Sequence, residues 1–114
     1  MYGEKPLAAS EALRLMAEEE KRALVIGCAP DTVLGAGFQT ARRILDRGEI
    51  GEAVGASAFL MLPGHEKWHP NPDFYYQPGG GSLMDMGPYY LTALTQLLGP
   101  VASATGMARA PFST

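Results

Sequence analysis

At 114 residues the chain has room for one domain or for parts of two. Hydrophobic residues at 46% and charged residues at 18% exclude a disordered or fibrous chain. A net charge of −3, a pI near 5.3 and scattered lysines and arginines exclude an electrostatic footprint for nucleic acid.

In chain order, Ser10 is a fitting N-cap, and Leu13, Met16 and Ala17 set an apolar stripe on a helix reaching about Arg22. The apolar run Ala23–Cys28 then reads as a buried strand. Cys28 is the single cysteine, which excludes an intramolecular disulfide and leaves a small hydrophobe at a strand end. After a loop at Ala29-Pro30-Asp31-Thr32, a second amphipathic helix runs from about Gly35 to Arg47. Phe38, Ala41, Ile44 and Leu45 mark its inner side, and Gly48 supplies a left-handed stop. Helix, buried strand, helix is the rhythm of a parallel α/β sheet.

From Gly51 the character changes, and Gly48–Gly51 is the best domain boundary. Glu52–Leu62 alternates as a longer strand with Phe59 in the core, and Val101–Ala110 reads as another. Between them a long loop, Pro63 to Gly81, is rich in proline, glycine and aromatics. A helix from about Ser82 to Leu98 is expected to bury Leu83, Leu91, Leu94, Leu97 and Leu98. Pro88 should kink it or confine its regular part to the later turns, and Gly99-Pro100 ends it. No basic-then-apolar leader opens the chain and no apolar run approaches membrane-spanning length. The expectation is a cytoplasmic protein with no membrane partner.

Two stretches imitate familiar motifs. His65-Glu66-Lys67-Trp68-His69 fits the H-E-x-x-H zinc signature, a possible zinc hydrolase, but that chemistry needs a continuous helix. Pro63-Gly64 before it and Pro70-Asn71-Pro72 after it leave no room for one, so no metal site is assigned. Gly35-Ala36-Gly37 opens a helix after a strand, as a dinucleotide loop does, yet Thr40 replaces the third glycine.

The chemistry concentrates in two other places: Glu4-Lys5-Pro6-Leu7, and Gly79-Gly80-Gly81-Ser82-Leu83-Met84-Asp85-Met86-Gly87-Pro88-Tyr89. In the second, a flexible triple glycine leads into a helix that sets Asp85 and Tyr89 one turn apart on one face. An acid and a phenol so placed can converge on a small polar substrate, with Lys5 as the charge that activates the phenol. Together the two motifs resemble the Gfo/Idh/MocA family of NAD(P)-dependent oxidoreductases, over essentially the whole chain.

That resemblance implies an α/β chain, in which residues 1–48 end a Rossmann-type parallel sheet and residues 49–114 begin an α+β open-sheet substrate domain. It implies NAD or NADP as cofactor, with Glu4, Lys5 and Pro6 at the nicotinamide end. Lys5, Asp85 and Tyr89 would be catalytic, and Trp68, His69, Tyr75, Tyr76 and Asp85 would line a sugar-like substrate. The intact parent would be a homo-oligomer. No strand–G-x-G-x-x-G–helix unit is present, so the chain reads as a piece of a longer protein that binds dinucleotide weakly or not at all by itself. The family commonly has an acid/base histidine where this chain has Tyr89. Three readings of that departure stay open: Lys5 lowers the Tyr89 phenol into use, Lys5 moves the proton while Tyr89 only orients the substrate, or Tyr89 is a packing residue in a protein that has changed the reaction or lost it to become a non-catalytic binding protein.

Overall fold

The computed structural model describes residues 2–5 and 9–109. Helix α1 spans Ala9–Arg22 and α2 spans Ala36–Asp46. A short α3, Ser82–Asp85, leads into α4, Gly87–Leu98. Strands β1, Tyr2–Gly3, and β2, Gly27–Cys28, flank α1 and pair in parallel, with Tyr2 opposite Gly27 and Gly3 opposite Cys28. This β-α-β crossover is the one piece of parallel α/β sheet among the described residues.

The helices obey the sequence. α1 ends at Arg22 as expected, although Ser10 lies inside its first turn rather than capping it. Both long N-terminal helices close with the same left-handed motif. In α2, Gly48 has φ 65°, its N–H donates to Leu45 O, and the Glu49 N–H donates to Ile44 O at 3.2 Å. In α1 the equivalent position is Ala23, with φ 49°, and the Leu24 N–H donates to Glu19 O at 3.2 Å. Alanine there carries a Cβ penalty that glycine avoids.

Pro88 breaks the third helical stretch. Lacking an N–H, it is tolerated only in a first turn, so the chain divides at Met86 and starts α4 anew with Pro88 near its beginning. Gly99, at φ 94°, ends α4.

The sheets differ from expectation. Of the run Ala23–Cys28, the described strand covers Gly27–Cys28, and Cys28 is exposed. Residues 51–62 and 101–109 carry no strand pairing at all, so the α+β open sheet is not formed among the described residues. Strands need neighbours to satisfy their backbone groups, and alternation alone cannot provide one. The consequence runs through the packing, because no described residue is buried. Phe59, expected in the core, is 75% exposed, and Leu83 is 71% exposed. Leu91 and Leu98 are exposed too, while Leu94 and Leu97 are half-covered. A Cα radius of gyration of 17.1 Å exceeds the roughly 13 Å of a compact domain this long.

Two long-range polar contacts hold the helical parts together. The Arg42 guanidinium forms a bidentate pair with Asp46 and donates to the carbonyls of Gln96 and Leu97 at the end of α4. It thus caps a helix C-terminus with positive charge. Lys5 makes the other contact.

The α1 stop gives a direct test. Ala23→Gly is expected to slow amide exchange at Leu24 about fivefold, the equivalent of ~1 kcal/mol. Gly48→Ala should speed exchange at Glu49 by a similar factor, and hydrogen exchange followed by NMR checks both.

Candidate functional site

The site is assembled from the end of β1, the loop before α3 and the junction of α3 with α4. The loop closes through its three glycines, each for its own reason. Gly79 and Gly81 have φ of 89° and 93°, which side-chain-bearing residues rarely adopt. Gly80 has no left-handed angle, but a Cβ there would stand 2.6 Å from the carbonyl oxygens of Phe74 and Tyr75. The motif therefore lays the aromatic turn Asp73–Tyr76 directly against the start of α3.

α3 ends on Asp85, and Lys5 reaches it from 80 residues away. The Lys5 ammonium donates to Asp85 Oδ1 and to the Asp85 backbone carbonyl, the latter at 2.7 Å. The same ammonium lies 5.0 Å from the centroid of the Tyr89 ring, over its face. The break at Met86 has not separated Asp85 from Tyr89, since Lys5 meets both. The Lys5 side chain is 14% exposed and that of Asp85 34%. The hydrogen bond from Lys5 to Asp85 holds the ammonium above its ordinary 10.5, against a desolvation penalty and with further help from the Asp85 charge.

The second oxygen of Asp85 faces His65, with Nε2 3.9 Å from Oδ2. The His65 ring stacks on Tyr75, with centroids 3.6 Å apart and planes at 20°. Partial loss of solvent raises the Tyr75 phenol above its usual range and the Asp85 charge adds to this, opposed by a hydrogen bond with Ser82 and by the Lys5 charge. His65 was not singled out as a substrate-site residue from sequence, where it figured only in the zinc signature, whereas Tyr75 was among the loop aromatics expected to line a sugar. No periodicity links them to Asp85; only the closure of the loop does.

The other expected residues scatter. Glu4 is exposed and lines a groove of about 540 Å³ at the carboxyl ends of β1 and β2, together with Cys28, Pro30, Leu34 and Tyr89. Pro6 lies outside the described residues. Trp68 is exposed, with its ring 4.7 Å from His65 and 5.4 Å from His69. His69 accepts from the Asn71 N–H through Nδ1, at 3.1 Å, rather than turning toward Asp85. Tyr76, also exposed, donates its hydroxyl to Glu66, and that bond holds the Glu66 carboxyl below its usual range. Tyr90 turns away from the site to line an apolar groove with Leu60, Leu83 and Leu94.

The zinc signature is not built as a zinc site. His65–Lys67 forms a three-residue 3₁₀ turn in place of an α-helix, and Glu66 is engaged by Tyr76. Among the described residues no group of three or more histidine, cysteine or acidic side chains is placed to hold a metal. Nor is any described helix long and apolar enough to cross a membrane.

Comparison with known proteins bears on this geometry. The family model of the GFO/IDH/MocA C-terminal domain matches residues 38–114. A dTDP-3,4-didehydro-2,6-dideoxy-alpha-D-glucose 3-reductase from Streptomyces antibioticus is 38% identical over 107 residues, covering 90% of this chain and 31% of that protein. The chain therefore spans about a third of the length of this curated relative. No solved structure matches. With a family match over most of its length, and an oxidoreductase of sugars among its relatives, the chain belongs to the GFO/IDH/MocA family.

Proposed function

We propose that this chain is the substrate-facing part of an NAD(P)-dependent sugar oxidoreductase, in which Lys5, Asp85 and Tyr89 manage the proton of the reacting oxygen. The observation that carries the reading is the convergence of the Lys5 ammonium on the Asp85 carboxylate and the Tyr89 ring. A lysine held cationic at neutral pH is no base. It stabilises negative charge developing on a carbonyl oxygen and donates hydrogen bonds to it. A phenol brings a proton to give. Tyr89 is accordingly assigned as proton donor in the reducing direction, with Lys5 holding the charge and Asp85 fixing Lys5. Carbon would receive the hydride that a bound nicotinamide supplies.

The residues present suit the nicotinamide end of such a cofactor. Open α/β sheets bind ligands at the carboxyl ends of their strands, and the groove beside Tyr89 lies there. Its Pro30, Val33 and Leu34 offer an apolar wall to a flat ring, and Glu4 and Lys5 would hold that end. NAD and NADP fit this wall alike. The relative's name describes a reductase acting at C3 of a dTDP-linked dideoxy sugar, and a keto sugar nucleotide is the substrate class proposed here. The aromatic turn with Trp68, Tyr75 and Tyr76 supplies faces on which a sugar ring can stack.

In the protein that carries this chain, Tyr89→Phe is expected to lower kcat about 10²- to 10³-fold with little change in KM. An unchanged kcat would remove Tyr89 from the chemistry. The Lys5 assignment has its own test, a titration of the Lys5 side-chain carbon signals by NMR. Because the folded value is raised, the pairing is complete below pH 10.5 and is lost only as pH climbs through the higher Lys5 midpoint. Asp85→Asn should return that midpoint toward 10.5.

A further inference from the structure

We infer that His65 and Asp85 together form a notch for a second hydroxyl of the substrate, on the carbon next to the one that reacts. This deepens the reductase reading above and rests on it. Asp85 presents its two oxygens to different neighbours: Lys5 occupies Oδ1, and His65 Nε2 faces Oδ2 across 3.9 Å. That gap is too long for a direct hydrogen bond. It is the right width for one bridging oxygen, since an atom about 2.8 Å from each end closes the triangle at an angle near ~90°. A hydroxyl satisfies both sides, accepting from the imidazole N–H and donating to the carboxylate. An ether or carbonyl oxygen satisfies only one.

Neither wall of the notch is free to swing away. The His65 ring is stacked on Tyr75 at 3.6 Å, tilted against Trp68 at 4.7 Å, and its side chain is only 13% exposed. Asp85 is held by Lys5 at both its carboxylate and its backbone carbonyl. Two polar atoms fixed by separate contacts, one oxygen's width apart, form a preorganised binding position. His65 and Tyr75 also wall a cleft of about 430 Å³ with Trp68 and Met86, and Asp85 lines a neighbouring one of about 460 Å³ that shares Tyr75. Lys5 serves the reacting oxygen from one side of the Asp85 carboxylate and His65 borders the other. The two substrate oxygens would then sit on adjacent ring carbons, the pattern of an α-hydroxy ketone, which sets the keto sugar inferred here apart from the sugar in the relative's name, deoxy at C2 and didehydro at C4.

The test compares affinities in the protein that carries this chain, loaded with oxidised cofactor so that a ketone binds without reacting. Calorimetry would give Kd for dTDP-3-keto-6-deoxyglucose and for its 2-deoxy and 4-deoxy analogues, in the wild type and in His65→Phe, which keeps a ring for Tyr75 and loses the nitrogen. The expected result is about a tenfold loss of affinity for one analogue in the wild type. In His65→Phe the parent sugar should lose the same factor, and that analogue should lose nothing further. Equal affinity of the wild type for all three sugars overturns the notch without recourse to any variant. A His65→Phe loss that is the same for all three sugars overturns it too, as does failure of the parent sugar to bind. Turnover with reduced cofactor is a separate readout: its absence counts against the reductase reading and leaves the affinity comparison intact.

Discussion

The pairing of Lys5 with Asp85 decides where everything else in the site stands. It spans 80 residues of sequence and joins the end of β1 to the end of α3. Because the lysine is largely shielded, the pair interacts through less water than a surface ion pair, and removing either partner would strand a charge. The Lys5 contact with the Tyr89 ring and the approach of His65 to the free carboxylate oxygen both depend on it. Shielding and charge here do work that a packed core does in most domains.

That substitution of polar contacts for packing follows from the strands. Helices satisfy their own backbone, so α1, α2 and α4 form wherever propensity and caps direct them. Residues 51–62 have the alternation of a strand and a half-covered Leu60 beside α4, yet without a neighbouring strand they form no ladder among the described residues. Their large apolar side chains, Val54, Phe59 and Met61, consequently face outward. An exposed apolar edge of this kind favours association with further β structure.

Much of this was legible in the sequence where the signal is local. The end of α1 at Arg22, the Gly48 stop, the disruption at Pro88 and the Gly99 terminus each follow from one residue's backbone chemistry. Lys5, Asp85 and Tyr89 could be read from two short motifs, and the structure brings those three side chains together. What sequence could not show is anything set by loop closure. His65, stacked on Tyr75, reaches Asp85 in a loop where Gly80 lets two backbones touch, a contact with no periodic signature. His69 and Tyr76 sit in the same loop, and their partners turn out to be Asn71 and Glu66. The strand expected over Ala23–Cys28 is shorter for the opposite reason: an apolar run marks where a strand can form, while the described β2 covers the part that lies alongside β1, Gly27–Cys28.

Arg42 gives the fold a further property. It fastens the end of α4 to α2, while Lys5 fastens the turn just before α4 to β1, so this helix is pinned at both extremities. A rod pinned at both ends transmits displacement instead of absorbing it. Anyone transplanting this substrate face into another scaffold would have to carry α2 along with α4, although α2 contributes no side chain to the site. Cutting the chain at the glycines after α2, the natural seam by composition, would leave one anchor behind.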